Sequence, residues 1–206
     1  MFAILLILVA FGLGAVPFGL YVARVVKGID PRDAGSRNIG ATNVARLCGT
    51  QWGVLVLVLD IFKGYLPAAL APADAGWVAL SLIGAASILG HAYSPLLNFR
   101  GGKAVATTIG VFLALAPWTM FFSVICCLGV IALSGYVSVG SLTLALALPV
   151  FSLLTGNIGL IPLSLGVMLF LFWRHRENIL RLSRGEEMPW RRRKDDPPVE
   201  PPDLEG

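Results

Sequence analysis

Long apolar runs alternate with short polar breaks along this chain, and the breaks set the number of elements. Residues 1–23 carry no charged side chain, 51–90 carry only Asp60, Lys63 and Asp74, and 104–173 carry none. A helix needs about 20 apolar residues to cross the hydrocarbon of a bilayer. The first run is therefore one span. The second holds two, turning at "APADAGW" (71–77). The third is too long for two and holds four short ones, broken near "APW" (116–118), "SGYVSVGS" (134–141) and "TGN" (155–157). The pattern predicts an all-α integral membrane protein with seven transmembrane helices.

Composition supports the bilayer as solvent. Of 206 residues, 56% are hydrophobic and 14% charged, whereas a soluble domain carries about a quarter charged residues. The first run has no basic start and its positive charge follows it, unlike a cleaved secretory signal, so it reads as a retained span. The three cysteines, Cys48, Cys126 and Cys127, show no C-x-x-C spacing and read as small buried apolar residues. With two histidines and no His/Cys/carboxylate cluster in the sequence, a structural zinc site is not expected.

Charge then orients the spans. All of the 16 basic residues except Lys63 fall in three clusters: Arg24 to Arg46, Arg100 with Lys103, and Arg174 to Lys194. Lys and Arg accumulate on the cytoplasmic side of a membrane protein. Placing all three clusters inside requires an even number of crossings between neighbouring clusters, which agrees with the two and the four that the run lengths allow. The N-terminus is then outside and the C-terminus cytoplasmic. Residues 1–194 form the predicted membrane domain. The Pro-rich acidic tail 195–206 is expected to be disordered. "PWRRRK" (189–194) reads as a topology signal in contact with anionic lipid rather than as a nucleic-acid site.

This orientation brings the polar loops to one side. In "RGGKAVAT" (100–107), Gly101 and Gly102 allow close backbone approach. Their N–H groups would form an anion nest at a helix N-terminus, with Lys103 adding charge. The turn lacks the Gly and Ser/Thr of a P-loop, here Leu97 and Ala104, so an NTPase is disfavoured. "GSRNIGATNVAR" (35–46) offers Ser36, Asn38, Thr42 and Asn43 as donors. If a helix starts near Thr42, Asn43 and Arg46 share a face, and Arg46 is suited to grip phosphate. His175 and Asn178 lie three apart after the last span, and "GYVSVGS" (135–141) supplies Ser138 and Ser141. His91 reads as structural. Asp60 and Lys63, within a span, are expected to pair.

Taken together, these loops resemble the PlsY family of bacterial acyl-phosphate:glycerol-3-phosphate acyltransferases. The resemblance runs from "VPFGLYVARVVKGIDPRDAGSRNIGATNVAR" to "RHRENILRLSRGEE". It implies seven membrane helices with a cytoplasmic-face active site in the bacterial inner membrane. It also implies transfer of a fatty acyl group from acyl phosphate to the 1-hydroxyl of sn-glycerol 3-phosphate, giving lysophosphatidic acid and phosphate. This is the first acylation of phospholipid synthesis. Glycerol 3-phosphate, fatty acyl phosphate and membrane lipid are the implied partners, with no cofactor, no metal and no nucleic acid. By motif, Ser36, Lys103, His175 and Asn178 would be catalytic. Asn38, Thr42, Asn43, Arg46, Gly101, Gly102, Lys103, Ser138 and Ser141 would bind substrate or phosphate. Arg37 and Ala104 stand where the family usually has glycine. The rival is a transporter of an anionic metabolite, which would need polar residues continuing to the outer face. Spans four to seven stay apolar apart from scattered Ser, Thr and Asn.

Overall fold

The structure is a computed structural model and describes residues 2–190. The acidic tail and the basic run from Arg191 lie outside the described residues. All regular structure among the described residues is helical. Two helices, α1 (Phe2–Gly14) and α2 (Phe18–Lys27), make up the first apolar run. Pro17, which cannot donate a main-chain N–H, sits at the break between them. The following helices are α3 (Ala41–Cys48), α4 (Thr50–Ala69), α5 (Trp77–Ala92), α6 (Val105–Leu115), α7 (Pro117–Ser134), α8 (Val137–Leu154), α9 (Ile161–Arg174) and α10 (Arg176–Ser183). The chain breaks at Ala116, at Gly135–Tyr136 and at Thr155–Asn157, within or beside the three expected turns.

Length qualifies the expected count of seven. Five segments are long and apolar enough to cross a bilayer: Ala3–Lys27, Thr50–Ala69, Trp77–Leu97, Pro117–Ser134 and Val137–Leu154. A sixth exists if Ile158–Arg174 and Arg176–Ser183, bent by 55°, are taken as one. With 11 residues, α6 is about 16 Å long at 1.5 Å per residue, roughly half the hydrocarbon thickness. It is a short helix held inside the bundle by its neighbours, with Thr107, Thr108, Val111 and Phe112 fully buried.

The bundle is apolar on the outside and closely packed within. Leu133 is 90% exposed and Val25 87%, with Leu8, Leu154 and Leu169 also facing outward. Such a surface suits lipid contact. Its interior carries buried Ser87, Thr119, Ser123 and Ser164, the small polar residues that let membrane helices approach. The chain pairs α4 with α6, α1 with α5 and α7 with α8. At the α4–α6 seam, a Cβ on Gly110 would lie 1.9 Å from the Ile61 carbonyl oxygen, and one on Gly64 2.2 Å from that of Thr107. Only glycine permits that backbone contact.

The Asp60–Lys63 ion pair forms as expected, at 2.8 Å, with both side chains buried. Lys63 Nζ also donates to the Val16 carbonyl at the α1–α2 break, at 2.8 Å. A charge removed from water is retained where it is paired and hydrogen-bonded. His91, read as structural, joins this group with Nδ1 3.7 Å from Asp60 Oδ1.

A side chain at the α4–α6 seam should drive the helices apart. We expect Gly110→Val to cost more than about 2 kcal/mol, read as a lower unfolding temperature and loss of monodisperse protein in detergent. Gly129→Ala on α7, with no neighbouring atom within 4 Å of the added Cβ, should change neither.

Candidate active site

The end of the bundle that gathers the polar loops is built around two tight segments. In the first, residues 28–40, Asp30 accepts hydrogen bonds from Arg32 Nε at 2.9 Å and Nη2 at 2.6 Å, and from Arg24 at 3.2 Å. The hydrogen-bonded Arg32 guanidinium holds the Asp30 carboxyl below the usual aspartate value. These arginines brace the loop. Asn43, read as a ligand donor, is buried and has its amide taken up by the same loop. Its Nδ2 donates to the carbonyls of Pro31, Ala34 and Asn38, and its Oδ1 accepts from the Ser36 N–H at 2.8 Å. Asn38 Oδ1 accepts from the Gly40 N–H at 2.8 Å, just ahead of α3. Helix α3 starts at Ala41, close to the predicted start, but Asn43 faces the loop interior while Arg46 reaches the C-terminal segment. Ser36, Asn38 and Thr42 remain half-buried.

The second segment is the turn before α6, and here the expected anion nest is corrected. The Gly101 N–H donates to the Ala92 carbonyl at 3.0 Å and the Gly102 N–H to that of His91 at 3.2 Å. Both amides complete the C-terminus of α5 and do not face a ligand. Their carbonyls accept from Arg174 Nη2 at 2.7 and 2.8 Å. What the turn presents is Lys103 and the first N–H groups of α6, which have no acceptor within the helix. Three of the four non-glycine residues with positive φ among those described, Asn98, Phe99 and Ala104, lie in this loop, and the fourth is Arg37. The two positions where the PlsY family usually has glycine, Arg37 and Ala104, thus have φ of 53° and 65°. Left-handed backbone favours glycine.

At His175 the chain turns between α9 and α10, beyond the end of the last apolar helix. His175 Nδ1 lies 2.8 Å from the Leu171 carbonyl. Asn178, on the first turn of α10, accepts from Lys103 Nζ through Oδ1 and donates to Glu187 Oε1 at 2.6 Å. Arg181 Nε donates to the other Glu187 oxygen at 2.8 Å, and Ser138, at the start of α8, adjoins the same carboxylate. Ser141 Oγ bonds back to the Val137 carbonyl at 2.9 Å. Residues 187–190 close over this end. Arg46 donates to the Met188 carbonyl at 3.1 Å, and the Trp190 N–H donates to the Gly135 carbonyl at 2.7 Å.

Burial, with the nearby Arg181 charge adding to it, brings the Lys103 ammonium down to about 8. Burial followed by the charge of Lys103 pushes His175 to about 4, so its imidazole is neutral at pH 7. Burial raises the Glu187 carboxyl, but the hydrogen bonds from Asn178 and Arg181, with the Ser138 hydroxyl close by, outweigh it and leave the group below its ordinary value. Lys103, His175, Asn178 and Ser138 are thus brought together, and Arg46 approaches them through residues 188–189. Sequence reasoning missed three members: Glu187, Arg181 and Arg174. Their one sequence signal is charge near "HREN", Arg174 directly before it and Arg181 and Glu187 three and nine positions after it. Among the described residues no three His, Cys, Asp or Glu side chains group as metal ligands.

Residues 4–185 match the family model described as glycerol-3-phosphate acyltransferase. A glycerol-3-phosphate acyltransferase of Maridesulfovibrio salexigens is 52% identical over 186 residues, 90% of this chain and 95% of that one. Among solved structures, the fold matches PlsY (YgiH), described as an integral membrane glycerol 3-phosphate acyltransferase. Its glycerol 3-phosphate form has TM-score 0.88 and 38% identity, over 92% of this chain and 96% of that chain. Its lysophosphatidic acid form matches with TM-score 0.85 and 38% identity, over 92% and 95%.

Relief of the left-handed strain at Ala104 gives a direct check on this loop. We expect Ala104→Gly to stabilise the protein by about 0.5–1 kcal/mol, the residual of strain over chain entropy, seen as a rise in unfolding temperature.

Proposed function

The chain belongs to the glycerol-3-phosphate acyltransferase family, and on that premise we propose that it transfers a fatty acyl group from acyl phosphate to the 1-hydroxyl of sn-glycerol 3-phosphate. The hydroxyl oxygen attacks the acyl carbonyl carbon, the bond from that carbon to the phosphate oxygen breaks, and phosphate leaves with the electron pair. The products are lysophosphatidic acid and phosphate. This reading rests above all on the Lys103 ammonium, half-buried beside Asn178, His175 and Arg181 at the mouth of a short helix.

Both substrates carry phosphate, so the site needs two anion holders. Arg46, with Ser36, Asn38 and Thr42, is assigned to glycerol 3-phosphate. Lys103 and the α6 N-terminus take the acyl phosphate and the departing phosphate, where they meet charge that grows in the transition state. Gly101, Gly102 and Asn43 hold these groups in place instead of binding ligand. Asn178 orients Lys103, and Ser138 and Ser141 line the α8 side. Because acyl phosphate is already activated, positioning accounts for much of the catalysis. Neutral His175 is a weak base, and a phosphate oxygen, with a second pKa of about 6, is the stronger of the two candidate proton acceptors.

The protein is a multi-pass membrane protein. Seven membrane-embedded segments, with α6 the short one, together with an outside N-terminus and a cytoplasmic C-terminus follow from the basic clusters. That arrangement puts the site at the cytoplasmic face of the bacterial inner membrane.

The test is a transfer assay with purified protein, offering glycerol 3-phosphate with acyl phosphate, acyl-CoA or acyl carrier protein. Lysophosphatidic acid should form from acyl phosphate alone, and a folded protein inactive with all three would remove the reading. Lys103→Ala and Arg46→Ala should each lower kcat/KM at least about 100-fold with little change in unfolding temperature. The pH profile is a separate check. Lys103 is charged below about 8, so kcat/KM should fall as pH rises through that value, and the inflection at about 6 should belong to the substrate phosphate and not to His175, which lies at about 4.

A further inference from the structure

The Gly101–Gly102 turn is gripped from two sides by residues outside the set of assigned ligand donors. Beneath it lies the fully enclosed His91 ring, beside Asp60, which is itself paired with Lys63. Above it lies Arg174, whose guanidinium rests over the Tyr93 and Trp173 rings at 5.9 and 5.7 Å and donates to both turn carbonyls. The two N–H groups and two carbonyls of the turn are therefore all engaged within the protein. A planar trans peptide points its N–H opposite its carbonyl. Drawing the Gly102 carbonyl to Arg174 therefore fixes the peptide plane from which Lys103 departs.

We propose that His91 and Arg174 are positioning residues for acyl transfer, together locking the Gly101–Gly102 turn so that Lys103 is aimed at the reacting phosphate. The inference rests on the role of Lys103 given above. The steric evidence is specific. A Cβ on Gly102 would meet three atoms of the His91 ring, with Nε2 at 2.2 Å, Cε1 at 3.0 Å and Cδ2 at 3.1 Å. A Cβ on Gly101 would instead meet main chain, the His91 carbonyl oxygen at 2.0 Å and the Ala92 carbonyl oxygen at 2.9 Å. The Gly102 contact is thus a side-chain contact, removable by changing His91, and the Gly101 contact is not.

The experiment measures kcat and the KM for glycerol 3-phosphate, per folded enzyme, for single and double variants of the purified protein. Gly102→Ala should lower kcat by about 100-fold through displacement of Lys103. His91→Ala alone should lower it as well. In the double variant, kcat should recover at least about tenfold over Gly102→Ala, a coupling that independent sites do not show. Gly101→Ala should gain nothing from His91→Ala. Arg174→Met should lower kcat by about tenfold or more with KM changed less than about twofold, and Arg174→Lys, which restores a cation near both carbonyls, should regain most of the loss.

Additive losses, a Gly101→Ala rescue equal to that of Gly102→Ala, or a folded Arg174→Met enzyme with the parent kcat would overturn the inference. Should Gly102→Ala fail to fold, the double variant decides: folded, active protein supports the clamp, and continued failure to fold overturns it. Absence of transfer by the parent protein would strike the proposed function instead. A parent that is active and depends on Lys103, but shows no coupling at 91, 102 and 174, would lose only the clamp.

Discussion

The last carbonyls of α5, at His91 and Ala92, have no acceptor-to-donor partner within their own helix, and the amides of Gly101 and Gly102 provide it. Main-chain groups buried in a membrane protein must be satisfied internally. This closure brings the loop back onto the end of α5, and α6 starts where it finishes. The short α6 is then inserted against α4, where glycine on each side lets backbones touch. Moving the α5–loop contact would displace the α6 N-terminus, Lys103 and the carbonyls that Arg174 holds.

The electrostatics of the site follow from the same closure. Lys103 emerges from the turn into a half-buried position beside Asn178, Arg181 and Glu187. A cation there is costly unless opposed, and Glu187 supplies the opposing charge, itself held by Asn178 and Arg181. The ammonium is left with a pKa near neutrality and His175 with one well below it. One cationic and one neutral nitrogen side by side at pH 7 suit a site that handles phosphate without a strong side-chain base. Deeper in the bundle the Asp60–Lys63 pair answers the same problem by direct contact and ties α4 to the α1–α2 break.

Much of this was legible in the chain because hydrocarbon is an unforgiving solvent. Apolar runs interrupted by proline, glycine and polar residues located the helix breaks near Ala116, Gly135 and Thr155, and the i,i+3 spacing of Asp60 and Lys63 announced their pairing. Residue type also marked Lys103, His175 and Asn178, which the fold does bring together. Spacing did not report how far each helix extends, since α6 and α9 are short for reasons that lie in their neighbours. Nor did it separate a donor that faces a ligand from one that faces its own loop, as Asn43, Gly101 and Gly102 demonstrate.

By itself, then, the sequence determined a helical membrane protein, its polar end and the residue types of a phosphate-handling site, because burial of charge and interruption of apolar runs are local costs written residue by residue. The tertiary structure alone decided which hydrogen-bonding groups remain available there. The amides of Gly101 and Gly102 go to α5, the Asn43 amide goes to its loop, and Glu187 returns to neutralise Lys103 and engage Asn178. Those outcomes depend on partners 5 to 84 positions away in the chain, from Asn38 with Asn43 to Lys103 with Glu187, and such pairings are fixed only when the chain packs.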